Sequence, residues 1–350
     1  MESLSVPTPA LVGEKASGMR LDVFLSQRLV KEIERYGLTR SRMQKLIEEG
    51  VITVNGAPTK PSRRLKPSDS VEVGRIPDVE TKLRAEDVLL DIIYEDRDCL
   101  VINKAPGMVV HPAAGNVSGT LVNALLHHCP ELKGIGAERR PGIVHRLDKD
   151  TSGVMVVAKN HGSLQMLSQQ FKDRIVRKEY LALVWGKFEG ESGIIDRPIG
   201  RHRSQRKKMS CRFAYSKKRE ALTEWNVEQR FELKAGPRST RWVSLCRLRP
   251  KTGRTHQIRV HLAELGHPVV GDKVYGWHPK PDLQNSSMVS LLYNFPRQAL
   301  HAEKLEIIHP RTNRRIEFKA VLYTDIHEVV KELEKRRLTM IGLDNQTAFQ

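Results

Sequence analysis

Apolar positions in this chain follow a helical rhythm first and a strand rhythm later. After a polar lead bearing Pro, Gly and Ser over residues 1–17, which predicts disorder, LDVFLSQRL sets Leu21, Phe24, Leu25 and Leu29 on one helical face. TRSRMQKLIEEG predicts a second helix, started by a Thr39 or Ser41 cap, stopped at Gly50 and facing inward through Met43, Leu46 and Ile47. Arg40, Arg42 and Lys45 are left on its outer face. VITVNGAP places an Asn55-Gly56 turn between two short strands, and the hairpin ends near Val73. Residues 18–75 therefore read as a small module of two helices and a hairpin with a basic face. Residues 76–87, polar and Pro-bearing, read as a linker.

From Val88 the apolar residues gather into β-branched runs: VLLDIIYED, CLVINK, GVMVVAK, YLALVWG and TRWVSLCRL. Helix-like LVNALLHH and HGSLQMLSQQFKD lie between them. This order predicts an α+β protein whose main body, residues 88–325, is one large mixed sheet with helices packed on it. Residues 326–350 read as a frayed helix and tail.

With 350 residues, 39% of them hydrophobic, the chain can fill a core. A formal charge of +18 and a pI near 9.8 point to a polyanionic partner, nucleic acid ahead of an anionic membrane surface, because Lys and Arg gain free energy by releasing counterions from phosphates. No run approaches the roughly 18 apolar residues of a spanning helix, and the N-terminus lacks a signal-peptide pattern, so a cytoplasmic location is expected. Cys99, Cys129, Cys211 and Cys246 form no CxxC pair, which argues against a zinc ribbon or redox dithiol and for idle or buried thiols. There is no GxxxxGK[ST], and GIGAER at 134–139 lacks the third glycine of a dinucleotide loop, so no cofactor is expected.

The stretch GIVHRLDKDTSGVMVVAK is the most informative. If residues 144–148 are extended, Arg146 and Asp148 face one side while His145 and Leu147 face the other. The polar turn that follows, backed by the apolar VMVVA, mounts the acid on a rigid support. DKDTSG copies the start of a calcium loop, but Lys159 stands where the bidentate Glu is required. Asp148 and Asp150 are too close along a tight turn to flank a glycosidic bond. On this segment alone, Asp148 serves equally well as a turn cap or as a catalytic acid.

Longer motifs add a resemblance. RLDVFLS, TRSRMQKLIEEGVITVNGAP and PSDSVEV resemble the S4 RNA-binding domain. HRLDKDTSGVMVVAK is similar to the HRLD motif of RNA pseudouridine synthases of the large-subunit rRNA type. INKAPGMVVHPAAGNVSGTLVNALLHH precedes it, and RKEYLALVWG, TGRTHQIRVHLAELGHPVVGDKVYG and QALHAEKLEIIHP follow in the family's order, over residues 20 to about 321. The resemblance implies isomerisation of uridine to pseudouridine in a stem-loop of 23S (large-subunit) rRNA. It implies no metal or cofactor, a cytoplasmic monomer, and the rRNA or its assembling ribosomal particle as partner.

The resemblance also implies roles. Asp148 lies beneath the sugar, as nucleophile at C1′ or base at C2′, and sequence does not choose between the two. Tyr180 packs on the uracil and assists proton removal at C5, and Arg259 pairs with the acid. Arg146 fills the space left by the flipped base or holds its backbone. His145, Arg254 and His256 flank these motifs as RNA contacts, while His301 and Leu305 stand in motif context near the base. In TGRTHQIRVHLAELG a Thr255 cap and a stripe of Ile258, Leu262 and Leu265 are expected. His256 and His261 are five apart, off the spacing of a helical metal pair. RHRSQRKKMSCRFAYSKKR carries basic residues interleaved with Phe213 and Tyr215; as an RNA-facing flap it would use Arg203, Arg206, Lys207 and Lys208, and its alternative is a solvated loop. Two rival functions stand: a sister synthase acting on tRNA or another rRNA site, and a noncatalytic S4-type RNA-binding protein.

Overall fold

The computed structural model describes residues 10–28, 40–74, 83–112, 118–137, 140–205, 208–214, 218–236, 239–276 and 287–347. Its first unit has strand β1 (Ala10–Leu11), helices α1 (Leu21–Arg28) and α2 (Arg40–Glu48), and strands β2 (Ile52–Val54) and β3 (Ser70–Val73). The expected inner residues Leu21, Phe24, Leu25, Met43, Leu46 and Ile47 form its core with Val12, Ile52, Val54, Leu65 and Val71. The lead is thus not wholly disordered, because β1 pairs with β3 and Val12 is buried.

The hairpin also differs from expectation. Asn55 and Gly56, at φ 56° and 73°, turn the chain only as far as Ala57. The strand that pairs with β2 comes after a further loop. Asn55 ties that loop down, bonding Asp69 and the Ser70 amide through its side chain.

The main body is a nine-stranded sheet. Its strands are β4 (Ile92–Glu95), β5 (Cys99–Lys104), β8 (Ser152–Ala158), β9 (Arg177–Trp185), β10 (Ser192–Asp196), β13 (Leu222–Gly236), β14 (Ser239–Pro250), β15 (Leu300–Ile308) and β16 (Arg315–Lys319). The order is β10-β13-β14-β9-β15-β8-β5-β4, with β16 beside β15, and only β15 and β8 run parallel. Two strand pairs stand apart, β6 (Gly136–Ala137) with β7 (Arg140–Pro141) and β11 (Gly200–Arg201) with β12 (Met209–Ser210). The β-branched runs form the strands because both sheet faces are covered: β5 and β8 are buried along their whole length. Of VLLDIIYED, only Ile92–Glu95 pairs.

Two apolar clusters divide the body. One, around β5, β8 and β15, takes in α3 (Leu121–His128) and α4 (His161–Lys172). The other, around β9, β13 and β14, takes in α5 (Gln257–Glu264), α6 (Ser287–Tyr293) and α7 (Thr324–Thr347). Tyr180 packs against both.

Two boundaries move. Leu83 packs on the first cluster, Arg84 and Glu86 bond to Asn123, and Glu86 also accepts from Gly119, so the end of the expected linker belongs to the body. The C-terminal segment is not frayed where it begins, since Ile326, Val329, Val330 and Leu333 of α7 are buried in the second cluster. Among the described residues, no helix is long and apolar enough to cross a membrane. All four cysteines are free and buried.

Candidate active site

Residues 144–148 belong to no strand, with a bend at Val144, and along them Arg146 is exposed, Leu147 buried and Asp148 half-buried. The loop after the acid is fixed by a polar floor. Lys104 donates to the Lys149 carbonyl at 3.0 Å and to the carbonyls of Ala105 and Met108, although burial pulls its ammonium down to about 7. Arg297 donates to the Asp150 carbonyl at 3.0 Å and to Ser152 Oγ at 3.3 Å, and grips Asp325 of α7 with two bonds of 2.7 Å. Gln298 reaches Thr151 Oγ1, and His301 Nδ1 accepts from Ser152 Oγ at 3.0 Å. Gly153, at φ 120°, lies so close to β15 that a Cβ would fall 2.2 Å from the Ala302 carbonyl.

Opposite this loop, α5 is pinned at its start by Gln257. The Gln257 side chain accepts from Thr252 Oγ1 and the Arg254 amide and donates to Leu222 O and Thr223 Oγ1. The expected Thr255 cap is not formed, and the helix start carries no side-chain cap bond. The residue before the helix is His256, in the left-handed region at φ 55°, and Leu265, expected inside, is 39% exposed while Val260 is buried. The pinning aims Arg259 at the acid: its Nη1 donates to Asp148 Oδ2 at 2.9 Å, and its Nε and Nη2 donate to Asp272 at 2.6 and 2.8 Å. The amides of Val274 and Tyr275 also donate to Asp272. Burial opposes charge on Asp272, but Arg259 and these amides outweigh it and hold the carboxyl below its ordinary range.

Asp148 and Arg259 thus meet across 111 residues, at one side of a cleft of about 460 Å³. Arg146, Asp148, Lys178, Tyr180, Arg254 and His256 line it, with Lys172, Arg174 and Lys251 adding positive charge. Burial, followed by the charge of Asp148, raises the Tyr180 phenol above its ordinary range, so the hydroxyl stays protonated. Burial lowers the Lys178 ammonium to about 8. Arg254 Nε is tied to the Glu220 carbonyl.

Other expected site residues fall elsewhere. His145 touches the cleft but is a fixed part of the fold: it stacks on Phe171 at 4.6 Å and its Nε2 accepts from the Val156 amide. Burial lowers it to about 3, so it offers RNA no cationic contact. His301 belongs to the floor, and Leu305 is buried in the first cluster away from the cleft. Arg203 is exposed at the β11–β12 ribbon, and Lys208 is half-buried there. Arg206, Lys207 and Tyr215 lie outside the described residues, as do the side chains of Arg40 and Arg42; Lys45 is exposed and pairs with Glu49. Asp272, Tyr275, Lys178, Lys104 and Arg297 were not singled out from sequence. Asp272 and Tyr275 sit in the quoted GDKVYG, where a Gly-turn followed by an acid was the available signal.

Two groups carry metal-ligand atoms close together, Glu95/His128/Cys129 and Asp96/Cys99/His309. Both are committed internally. Lys159 and His128 bond Glu95, backbone amides and His309 bond Asp96, and burial pushes Cys99 and Cys129 up to about 12.

One acid, fixed from below and held at one oxygen, opens on a cleft whose basic lining suits a polyanion. Residues 98–264 match the family model described as RNA pseudouridylate synthase, and residues 19–71 match the S4 domain. The chain is 40% identical to an uncharacterized RNA pseudouridine synthase of Synechocystis, covering 93% of this chain and 92% of that protein. It is 38% identical to the ribosomal large subunit pseudouridine synthase D of Yersinia pestis, over 94% and 95%. Among solved structures, human RNA pseudouridylate synthase domain containing 1 is 30% identical with a TM-score of 0.50, covering 71% of this chain and 96% of that one. The chain belongs to the RNA pseudouridine synthase family and carries an S4 domain ahead of the synthase body.

Proposed function

We propose that this protein converts specific uridines of 23S rRNA to pseudouridine, in a stem-loop, with Asp148 as the acid that works at the sugar. The observation that carries the reading is the asymmetry of Asp148: Oδ2 is held by Arg259, while Oδ1 has no bond shorter than the 3.8 Å approach of His256 among the described residues. The reaction breaks the ribose C1′–N1 bond, forms C1′–C5, removes the C5 proton and returns one to N1. A fixed carboxylate with one free oxygen suits attack at C1′ and proton removal at C2′ alike.

Tyr180 serves as a wall for the uracil. Its raised phenol stays protonated, so packing on the base is the part this structure favours for it. Arg146, exposed at the rim, engages the RNA as the base leaves its stack. The S4 domain adds affinity and placement. Large-subunit rRNA is the favoured target because relatives matching over nearly the whole of both chains carry that substrate in their names.

The test is tritium release from rRNA and tRNA labelled at uracil C5, by wild type and Asp148→Asn, followed by mapping of new pseudouridines. Wild type is expected to release tritium from 23S rRNA, and Asp148→Asn to lose at least about 10³-fold in rate while keeping RNA binding. Retained turnover in the variant removes Asp148 from the mechanism. Release confined to tRNA reassigns the target, and tight binding without release from either favours a noncatalytic protein.

A further inference from the structure

The β11–β12 ribbon and the acid are joined by a short chain of hydrogen bonds through Tyr275. The Met209 amide of β12 donates to Tyr275 Oη at 2.8 Å, and Tyr275 Oη lies 2.9 Å from His256 Nδ1. His256 Nε2 faces Asp148 Oδ1 at 3.8 Å, the oxygen that Arg259 does not take. Tyr275 is anchored at its other end, with its amide on Asp272 and the Arg259 guanidinium 5.2 Å from its ring centre. The ribbon base packs beside α5, where Ile199, Cys211 and Ala221 enclose Val260, the residue after Arg259.

Proton counting sets the direction of this chain. The phenol oxygen already accepts from Met209, and among the described residues its single proton can be donated to Nδ1 of His256, which then accepts. A neutral imidazole that accepts at Nδ1 carries its proton on Nε2, the nitrogen that faces the acid. His256 is also held in the left-handed region at φ 55°, which a non-glycine residue adopts when its surroundings impose it. Burial lowers its pKa, with Arg259 and Arg146 adding to that effect and Asp148 and Asp272 opposing it.

We propose that Tyr275 is a positioning residue that links the basic ribbon to the acid, fixing His256 as the Nε2–H tautomer with that N–H aimed at the free oxygen of Asp148. Seating of RNA on the ribbon is then registered at the acid through Met209 and Tyr275. This rests on the function proposed above, in which Asp148 is the working acid.

The test combines a spectrum with kinetics, on the full chain. Nitrogen-15 NMR of histidine-labelled protein, with His256→Gln identifying the resonance, is expected to show a protonated Nε2 and a bare Nδ1. In Tyr275→Phe, which keeps the ring over Arg259 and removes only the hydroxyl, the two tautomers are expected to mix. Single-turnover tritium release should then fall about tenfold while RNA affinity is unchanged, because a misaligned group costs rate rather than binding. An Nδ1–H tautomer in wild type, an unaltered spectrum in Tyr275→Phe, or a rate loss matched by an equal loss of affinity would each overturn the proposal. If wild type releases no tritium from any RNA, the function falls and the acid loses its role, while the spectrum still decides whether Tyr275 sets the tautomer.

Discussion

Asp272 and Asp148 share the guanidinium of Arg259, yet they end in opposite conditions. Asp272 is 2% exposed, and both its oxygens are taken by Arg259 and the amides of Val274 and Tyr275. Asp148 keeps 19% of its side chain exposed and one oxygen free of any close bond. The same contrast separates the floor beneath the loop, built from Lys104, Arg297, Gln298 and His301, from the mouth formed by Arg146, Asp148 and His256. On the floor, polar groups are spent on the chain itself. In the mouth Arg146 and one oxygen of Asp148 face space. Burying a charge is costly unless it is paired, so the floor can hold charge only by matching it, and that matching leaves the mouth rigid enough to carry unmatched groups.

The strongest way to break this contrast is to push the floor itself. Gly153→Ala would set a Cβ 2.2 Å from the Ala302 carbonyl at a φ of 120°, against backbone that cannot swing aside. A loss of about 3 kcal/mol or more in unfolding free energy is expected, measured by urea titration, with turnover lost as well. A variant that keeps its midpoint would show that β8 and β15 can part there, and that the loop is not held from below.

Sequence pattern reached the mouth far better than the floor. Asp148, Tyr180 and Arg259 each stand in a contiguous motif, so resemblance could carry them even though residues 148 and 259 meet only in the fold. Arg297, by contrast, works on the Asp150 carbonyl and on Asp325 of α7, two partners that no spacing connects. His145 was half legible for the same reason: it does line the cleft, but its stacking on Phe171 and its bond from the Val156 amide come from partners that sequence does not connect. The strands were legible from β-branching. The first strand was not, because two residues in a polar lead carry no periodic signal.

A weaker probe of the floor is pH. Burial lowers His301 to about 4 from an ordinary value of 6.5, while Ser152 and the Ala320 carbonyl occupy its two nitrogens. Between those values the unfolded chain binds a proton that the folded chain refuses. The contribution of His301 is therefore whole above pH 6.5, and it is lost as pH falls toward 4. The loss is on the order of 3 kcal/mol. His301→Gln should flatten the fall in unfolding free energy over this window by up to one proton, with the other histidines lowered by burial, His145 and His111 among them, contributing to what remains. Equal slopes in wild type and variant would mean that His301 titrates freely, and that the floor is open to water.

The smallest expected effect on stability lies in the mouth. Arg146 is exposed, lines the cleft, and makes no hydrogen bond or ion pair among the described residues, so Arg146→Ala should leave the unfolding midpoint where it is. Its effect should appear with RNA alone. If the guanidinium holds a phosphate, affinity for a stem-loop falls and the slope of log affinity against log salt becomes shallower by about 0.7 to 0.9, the counterion release of a single contact. If it instead fills the place of the flipped base, turnover falls at an unchanged slope. We expect the shallower slope, because an unpaired cation at the rim of a basic cleft is already placed to meet a backbone phosphate. A drop in stability comparable with that of Gly153→Ala would erase the distinction between the two regions, since it would show the mouth holding up the fold as the floor does.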